Sequence, residues 1–393
     1  MISRRNLVTG GLAVGAALAA GKSRIVKTEL LPVRATARTV WLFVRLTDQQ
    51  GRQGLGEASD AFGFGATTKA DALRMESELQ ALSGLLPDAT PGRFIARARA
   101  RAAAGGQVTA TAYSAIEQAL WDLAGQQQAV PIASLLGKRV HTRLPLYANI
   151  NRATSPRTPA GFADAARRAY AEGFRAFKLA PFDGFPPPGS PSAAIEGAVE
   201  AGIASVFAVR QAVGRQARVM VDCHSVFDVE RARDVAQRLE PAALTWYEEP
   251  VAPTRVAETK QIRGLIKQPM AGGEMLFGVE GFAPLCDAVH VIMPDVKHCG
   301  GLAEFVRIAR MAGQHRGEVS PHNPAGPVST VATLHAACVC PNVKLVEIQW
   351  GEVPWRPDLV TPAEPIAQGE ITLSDRPGLG LRLNEDLVRR YAL

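Results

Sequence analysis

What this chain has little of narrows its function before any motif is weighed. Cysteine is scarce, with Cys223, Cys286, Cys299, Cys338 and Cys340 the only five in 393 residues. Their spacings match no zinc site, and an odd count leaves one thiol over in any disulfide framework. Cys338 and Cys340 lie in an apolar stretch, where packing is the plainer role. Runs of like charge are missing too. There are 44 Lys and Arg against 37 Asp and Glu, a net charge of +7, but the basic residues are dispersed. Dispersed charge argues against a nucleic-acid surface. Beyond the N-terminus no segment reads as apolar for long enough to cross a bilayer. The remainder, 47% hydrophobic and 21% charged, is the composition of an ordinary globular enzyme.

The first 22 residues read as an address. Met1–Arg5 ends in the pair Arg4-Arg5, and Leu7–Ala20 is uncharged and built of small and aliphatic residues. That pattern resembles a twin-arginine (Tat) export signal. It predicts a periplasmic or exported protein, cytoplasmic if the signal is not used, with no membrane partner after cleavage. Residues 23–143 are strand-like from Ile25 to about Ser59 and helical from Lys69. The helical spacing is clearest at Ala115, Ala119, Leu120 and Leu123. They predict a separate α+β domain. Across 144–355, short apolar segments begin at Leu144, Ala176, Val219, Thr245, Met270, Val289, Glu318 and Val343, alternating with helix-length stretches. Eight such alternations predict an α/β fold, a (β/α) barrel of parallel strands. Residues 356–393 are expected to fold back onto the first domain.

The ends of the predicted strands carry the chemistry. Asp222, Glu248, Glu274, Asp295, His322 and Glu347 follow one another at intervals of 26, 26, 21, 27 and 25 residues, about one βα unit each time. A barrel gathers successive strand ends around one mouth, so residues at this interval converge. Acids on strands buried on both faces are costly unless they share a cation or a partner. Asp222, Glu248 and Glu274 come from adjacent strands, and three carboxylates suit a hard cation such as Mg²⁺, with Mn²⁺ an alternative. Glu248 is preferred to Glu249 because alternate side chains face opposite sides of a strand.

Two histidines complete the constellation. His322, one unit after Asp295, forms a predicted dyad in which the carboxylate orients the imidazole for proton abstraction. His224, two residues after Asp222, is expected to point the same way and to act as an acid on a leaving hydroxyl. Glu347, if protonated, could hydrogen-bond an enolate oxygen. His141, His290, His298, His315 and His335 read as surface or packing residues, His298 being the one close to a strand end. Together these groups suit removal of a proton α to a carboxylate, where a divalent ion stabilises the developing charge.

These residues resemble the enolase superfamily, in its mandelate racemase-like branch. The resemblance runs through Gly54-Leu55-Gly56-Glu57, Ser114–Asp122, Glu248-Glu249-Pro250, Gly272-Gly273-Glu274, and Pro294-Asp295 with Gly300-Gly301. It implies a capping domain over the barrel mouth that supplies specificity, and a homo-oligomer. Within the branch, Asp222-Cys223-His224, Ser320–Pro324 and the Glu347 segment look most like galactonate dehydratase-like enzymes. That implies His322 as base, His224 as acid, and a small hydroxy-carboxylate (acid-sugar) substrate. Racemases of the branch carry Lys-x-Lys on the second strand; here Lys178 is followed by Ala180. Lys178 is left to bind the substrate carboxylate, and Ala180 offers no base. Dehydration is therefore favoured over the alternatives: a racemase or epimerase using both histidines, or a non-catalytic exported carboxylate-binding protein.

Overall fold

The computed structural model describes residues 24–393 apart from Phe64 and Pro87, so the twin-arginine segment lies outside the described residues. The chain enters through three antiparallel strands, β1 (Ile25–Arg34), β2 (Val40–Asp48) and β3 (Gln53–Glu57), with β2 in the middle. Side chains alternate across a strand, and β2 uses both faces. Leu42, Val44 and Leu46 enter the core of this first domain, whereas Trp41 and Phe43 enter the core of the next. Helices α1 (Lys69–Ser83), α2 (Pro91–Ala104) and α3 (Gly106–Gln128) follow. The first two open with Thr68 and Thr90 side chains accepting backbone N–H groups, as N-caps do. Helix α3 is buried continuously from Val108 to Gly125. A helix buried all round needs cover on every side; α3 is the layer between two domains.

Eight strands then pair in parallel, in sequence order: β4 (Arg143–Asn149), β5 (Ala176–Leu179), β6 (Arg218–Asp222), β7 (Trp246–Glu248), β8 (Met270–Gly272), β9 (Val291–Ile292), β10 (Glu318–Val319) and β11 (Val346–Gln349). All eight fall where alternation predicted them. β11 pairs with β4, and a lone parallel bridge, Val319↔Val343, joins β10 to the segment entering β11. That bridge lies outside β11 itself, which among the described residues pairs with β4 alone. Among these strands sits a plug of Tyr147, Ala176, Met220, Trp246, Ala271, Val291, Met293 and Leu345.

The helix Ser192–Val213, between β5 and β6, corrects one expectation. By length and composition it could cross a membrane, although no segment beyond the N-terminus was expected to. Here Val199, Val206 and Val209 bury one face, and Glu196 and Glu200 on the other pair with Arg231 and Arg238. It serves as one of the helices of the βα units. The C-terminal segment touches both domains. Residues Glu370–Thr372 pair antiparallel with the start of β4, while Ala392 bridges Val33 of β1.

Three buried acids fasten the first domain to the rest of the chain. Glu57 accepts the N–H groups of Gly326 and Ser329 at 2.7 and 2.8 Å. Glu117 accepts those of Leu302 and Ala303 at 2.7 and 3.0 Å, and Asp122 accepts that of Leu379 at 2.8 Å. Glu57 and Glu117 thus sit at the N-termini of the helices Pro327–Ala337 and Gly301–Gln314, where free N–H groups and the helix dipole favour an anion. Gly301 and Gly378 make the approach possible. Both have positive φ, and a Cβ on either would stand 2.1 Å from a carboxylate oxygen of Glu117 or Asp122.

Candidate active site

Period-two alternation builds the site directly on the apolar plug. Two residues beyond a plug residue, the next inward side chain is polar: Asn149 above Tyr147, Lys178 above Ala176, Asp222 above Met220, Glu248 above Trp246, Asp295 above Met293, Glu347 above Leu345. One layer excludes water and the next carries charge. Glu274 does not follow this rule; it arrives after Gly273, whose φ of +111° turns the chain at the end of β8.

Asp222, Glu248 and Glu274 converge. Each offers a carboxylate oxygen, and these atoms all lie within 4.8 Å of one another, on three buried residues. Lys178 stands beside them, its Nζ 2.9 Å from Glu248, 3.0 Å from Glu347 and 3.4 Å from Asp222. Burial disfavours its charge, but Glu248 and Glu347 hold it protonated, well above the ordinary lysine range. One ammonium does not balance this many carboxylates. Burial, followed by the charge of Asp222, pushes Glu248 well up, whereas Asp222 is held down against its own burial by His224 and Lys178. Glu274 Oε2 is buried without any hydrogen-bond donor. Three hard oxygen donors, short of positive charge and with an unused lone pair, fit a divalent cation.

Both predicted histidines face this cluster. His322 Nδ1 lies 2.8 Å from Asp295 Oδ2, and its Nε2 lies 3.1 Å from Glu274 Oε2, outside hydrogen-bonding geometry. Burial opposes a charge on His322, but Glu274 and Asp295 raise its pKa above the ordinary value. His224 Nε2 lies 3.1 Å from Asp222 Oδ2, and its Nδ1 meets Asp183 Oδ1 at 2.5 Å. Its placement differs in origin from the expected strand alternation. β6 ends at Asp222, and His224 reaches the site through a left-handed backbone, φ +44°.

The role offered for Glu347 as a protonated donor is corrected. One oxygen accepts from Asn149 Nδ2 at 2.7 Å and from Lys178, and the other from the Asn323 N–H at 2.8 Å. Burial raises its pKa, but Lys178 and His322 outweigh that and keep it below the usual range. Glu347 is an ionised acceptor that fixes Lys178. The structure therefore brings all eight predicted residues into one cavity wall or the layer directly behind it. The cavity also takes in Arg38 and Thr39, beside the start of β2, and Asp60 from the loop after β3.

Residues 161–387 match the family described as enolase C-terminal domain-like, and residues 23–137 match the mandelate racemase/muconate lactonizing enzyme N-terminal domain. The chain belongs to the mandelate racemase/muconate lactonizing enzyme family. It is similar to D-gluconate dehydratase from Thermoproteus tenax, 32% identical over 286 residues, covering 72% of this chain and 56% of that protein. The chain thus spans little more than half the length of that relative. It is 29% identical over 375 residues to D-galactonate dehydratase from Xanthomonas campestris pv. campestris strain B100, covering 92% and 93% of the two. Among solved structures, the mandelate racemase/muconate lactonizing enzyme-like protein from Rubrobacter xylanophilus DSM 9941 matches with a TM-score of 0.84 at 31% identity, over 95% of this chain and 98% of that one.

Two groups of this family member went unread in its sequence. Lys297 is fully buried and donates to Asp295 Oδ2 at 2.7 Å, the same oxygen that meets His322. Its position two residues after Asp295 was the available signal, the same step that pointed to His224. Asp183 had none, since it lies in the turn after β5, where no periodicity applies. His298 and His335 are both buried, held by Thr111 Oγ1 and by Ala133 and Leu379 backbone groups.

Proposed function

We propose that this chain is a magnesium-dependent acid-sugar dehydratase, converting a hydroxy-carboxylate into a 2-keto-3-deoxy acid. The observation that carries the reading is the pair of oriented imidazoles flanking one carboxylate cluster. They follow β6 and β10, strands four places apart in the sheet, so a substrate held over the strand ends between them meets one on each side. Asp222, Glu248 and Glu274 would hold the cation, which supplies stabilisation for the second negative charge that develops on the substrate carboxylate.

The remaining work belongs to the chain's own residues. Lys178, held protonated by Glu248 and Glu347, binds the substrate carboxylate and cannot serve as a base. His322 takes the α-proton at Nε2, with Asp295 fixing its other nitrogen. His224 gives a proton to the β-hydroxyl as its carbon–oxygen bond breaks, and water leaves. The electron pair of the α-C–H bond becomes the double bond of an enol. The enol then loses its hydroxyl proton and gains one at the β-carbon, giving the keto acid.

The relatives named gluconate and galactonate dehydratases support this reading, as does Ala180, which leaves the second strand without a second lysine. The test is to incubate purified protein and Mg²⁺ with a panel of aldonic and aldaric acids and to assay for keto product. The reading fails if no acid yields a keto product while one of them exchanges its α-proton in deuterated solvent. The matching geometry of the two histidines gives a racemase or epimerase as second reading, established by exchange with inversion and no loss of water. The export reading of Met1–Lys22 predicts periplasmic protein that becomes cytoplasmic on Arg4→Lys with Arg5→Lys, measured by cell fractionation.

A further inference from the structure

The two imidazoles of the site are built alike, but only one of their partners has been given a task. His322 has Asp295 on Nδ1 at 2.8 Å and a cluster carboxylate 3.1 Å from Nε2. His224 repeats the arrangement, with Asp183 on Nδ1 at 2.5 Å and Asp222 3.1 Å from Nε2. His224 stands beyond the end of its strand on a left-handed backbone, so sheet geometry does not aim its ring.

Asp183 is itself held in place. Its second oxygen accepts from Arg157 Nη2 at 2.9 Å. That same guanidinium donates to the carbonyls of Ala180 and Asn151 at 2.6 and 3.0 Å and lies over the Phe162 ring. A clamped carboxylate on Nδ1 keeps a hydrogen there whether or not the ring carries charge, because an ionised carboxylate only accepts. Held at Nδ1, the ring turns Nε2 to the side of the carboxylate cluster, 3.1 Å from Asp222 Oδ2.

We propose that Asp183 is the positioning residue for His224: by holding Nδ1 it fixes the ring with Nε2 facing the carboxylate cluster, where the hydroxyl departs. The inference rests on the dehydratase reading for its chemistry, but not for its geometry.

Asp183→Asn is the informative change, and Arg157 makes its outcome specific. Arg157 requires an oxygen on its side, so the new amide presents its NH₂ to His224 Nδ1. Nδ1–H then faces a donor instead of an acceptor, and the ring loses its hold. With the full chain, Mg²⁺, and D-gluconate and D-galactonate as probes in deuterated water, keto-acid formation should fall about 100-fold, the scale of a misplaced general acid. Proton abstraction by His322 should continue, so deuterium in the recovered substrate per keto acid formed should rise at least tenfold. Asp183→Glu should recover part of the loss, and Asp183→Asn placed on His224→Asn should add nothing further. Unchanged keto-acid formation overturns the proposal. So do equal losses of exchange and elimination, or additive losses in the double variant.

Histidine ¹⁵N spectra give a readout that needs no turnover. They should show a His224 Nδ1–H hydrogen-bonded to a carboxylate in the wild type, and that bond lost in Asp183→Asn. A wild-type His224 without a hydrogen-bonded Nδ1–H overturns the proposal even if neither probe reacts. Failure of both probes to yield a keto acid in the wild type counts against the dehydratase reading instead.

Discussion

Replacing Lys178 with Met should make the stability of this protein depend on a divalent cation. Lys178 is 1% exposed and lies 2.9, 3.0 and 3.4 Å from three carboxylates. At an effective dielectric constant of about 20, each attraction at such distances is about 5 to 6 kcal/mol before desolvation. Carboxylate atoms separated by 4.8 Å, the limit that bounds the Asp222, Glu248 and Glu274 group, repel by about 3.5 kcal/mol per pair on the same scale. Desolvation of the ammonium cancels several kcal/mol of the attraction, and measured losses for removing one partner of a buried ionic group run at about 3 to 5 kcal/mol. Lys178→Met should therefore lose about 3 to 5 kcal/mol in urea unfolding at about pH 8 with chelator present. Saturating magnesium should recover more stability in the variant than in the wild type, because the cation then meets carboxylates with no competing ammonium; a ligand at 100 times its Kd contributes about 2.7 kcal/mol. If the variant unfolds within about 1 kcal/mol of the wild type in chelator, or if magnesium stabilises both proteins equally, the electrostatic account of the cluster is wrong.

Other expectations follow from the same geometry. His322→Asn should abolish both α-proton exchange and keto-acid formation, by at least about 10²-fold, with aldonate binding by calorimetry within several-fold of wild type; retained exchange would remove His322 from its role. Glu117→Gln puts an amide NH₂ among three N–H donors, from Leu302, Ala303 and Trp121. It should cost about 2 to 4 kcal/mol in urea unfolding, and a neutral outcome would show that this fastening contributes little. Burial lowers the pKa of His335 to about 4. The unfolded chain takes up that proton near pH 6.5 and the folded one only near 4, so stability is full above about 6.5 and falls as the solution is acidified toward 4. That window is worth about 3 kcal/mol, and His335→Asn should flatten the acid limb of a stability–pH curve.

Much of the site was legible because a barrel converts spacing along the chain into proximity. Asp222, Glu248, Glu274, Asp295, His322 and Glu347 are each about one βα unit apart, and strand alternation puts Asp222, Glu248, Asp295 and Glu347 above the apolar plug. The protonation state of Glu347 was not legible, because it depends on Lys178 and on the Asn323 amide, which no spacing rule pairs with it. Asp183 escaped because turns have no period, and Lys297 because a lysine beside an acid reads as solvated surface until its burial is known. The motifs at Glu57, Glu117 and Asp122 stood out in the sequence without their mechanical meaning. Their partners are backbone N–H groups as much as 272 residues away, and a backbone amide leaves no mark in the sequence except a nearby glycine.

Those three fastenings bear on how this protein could be re-engineered. Glu57, Glu117 and Asp122 grip main-chain amides of the catalytic half of the molecule, so their hold is indifferent to most side chains there. What must be kept is bare space, above all at Gly301 and Gly378. A foreign lid that brings three acids to the same places would find its socket already cut, and a hybrid enzyme could inherit a new substrate range without a single change to the machinery beneath it.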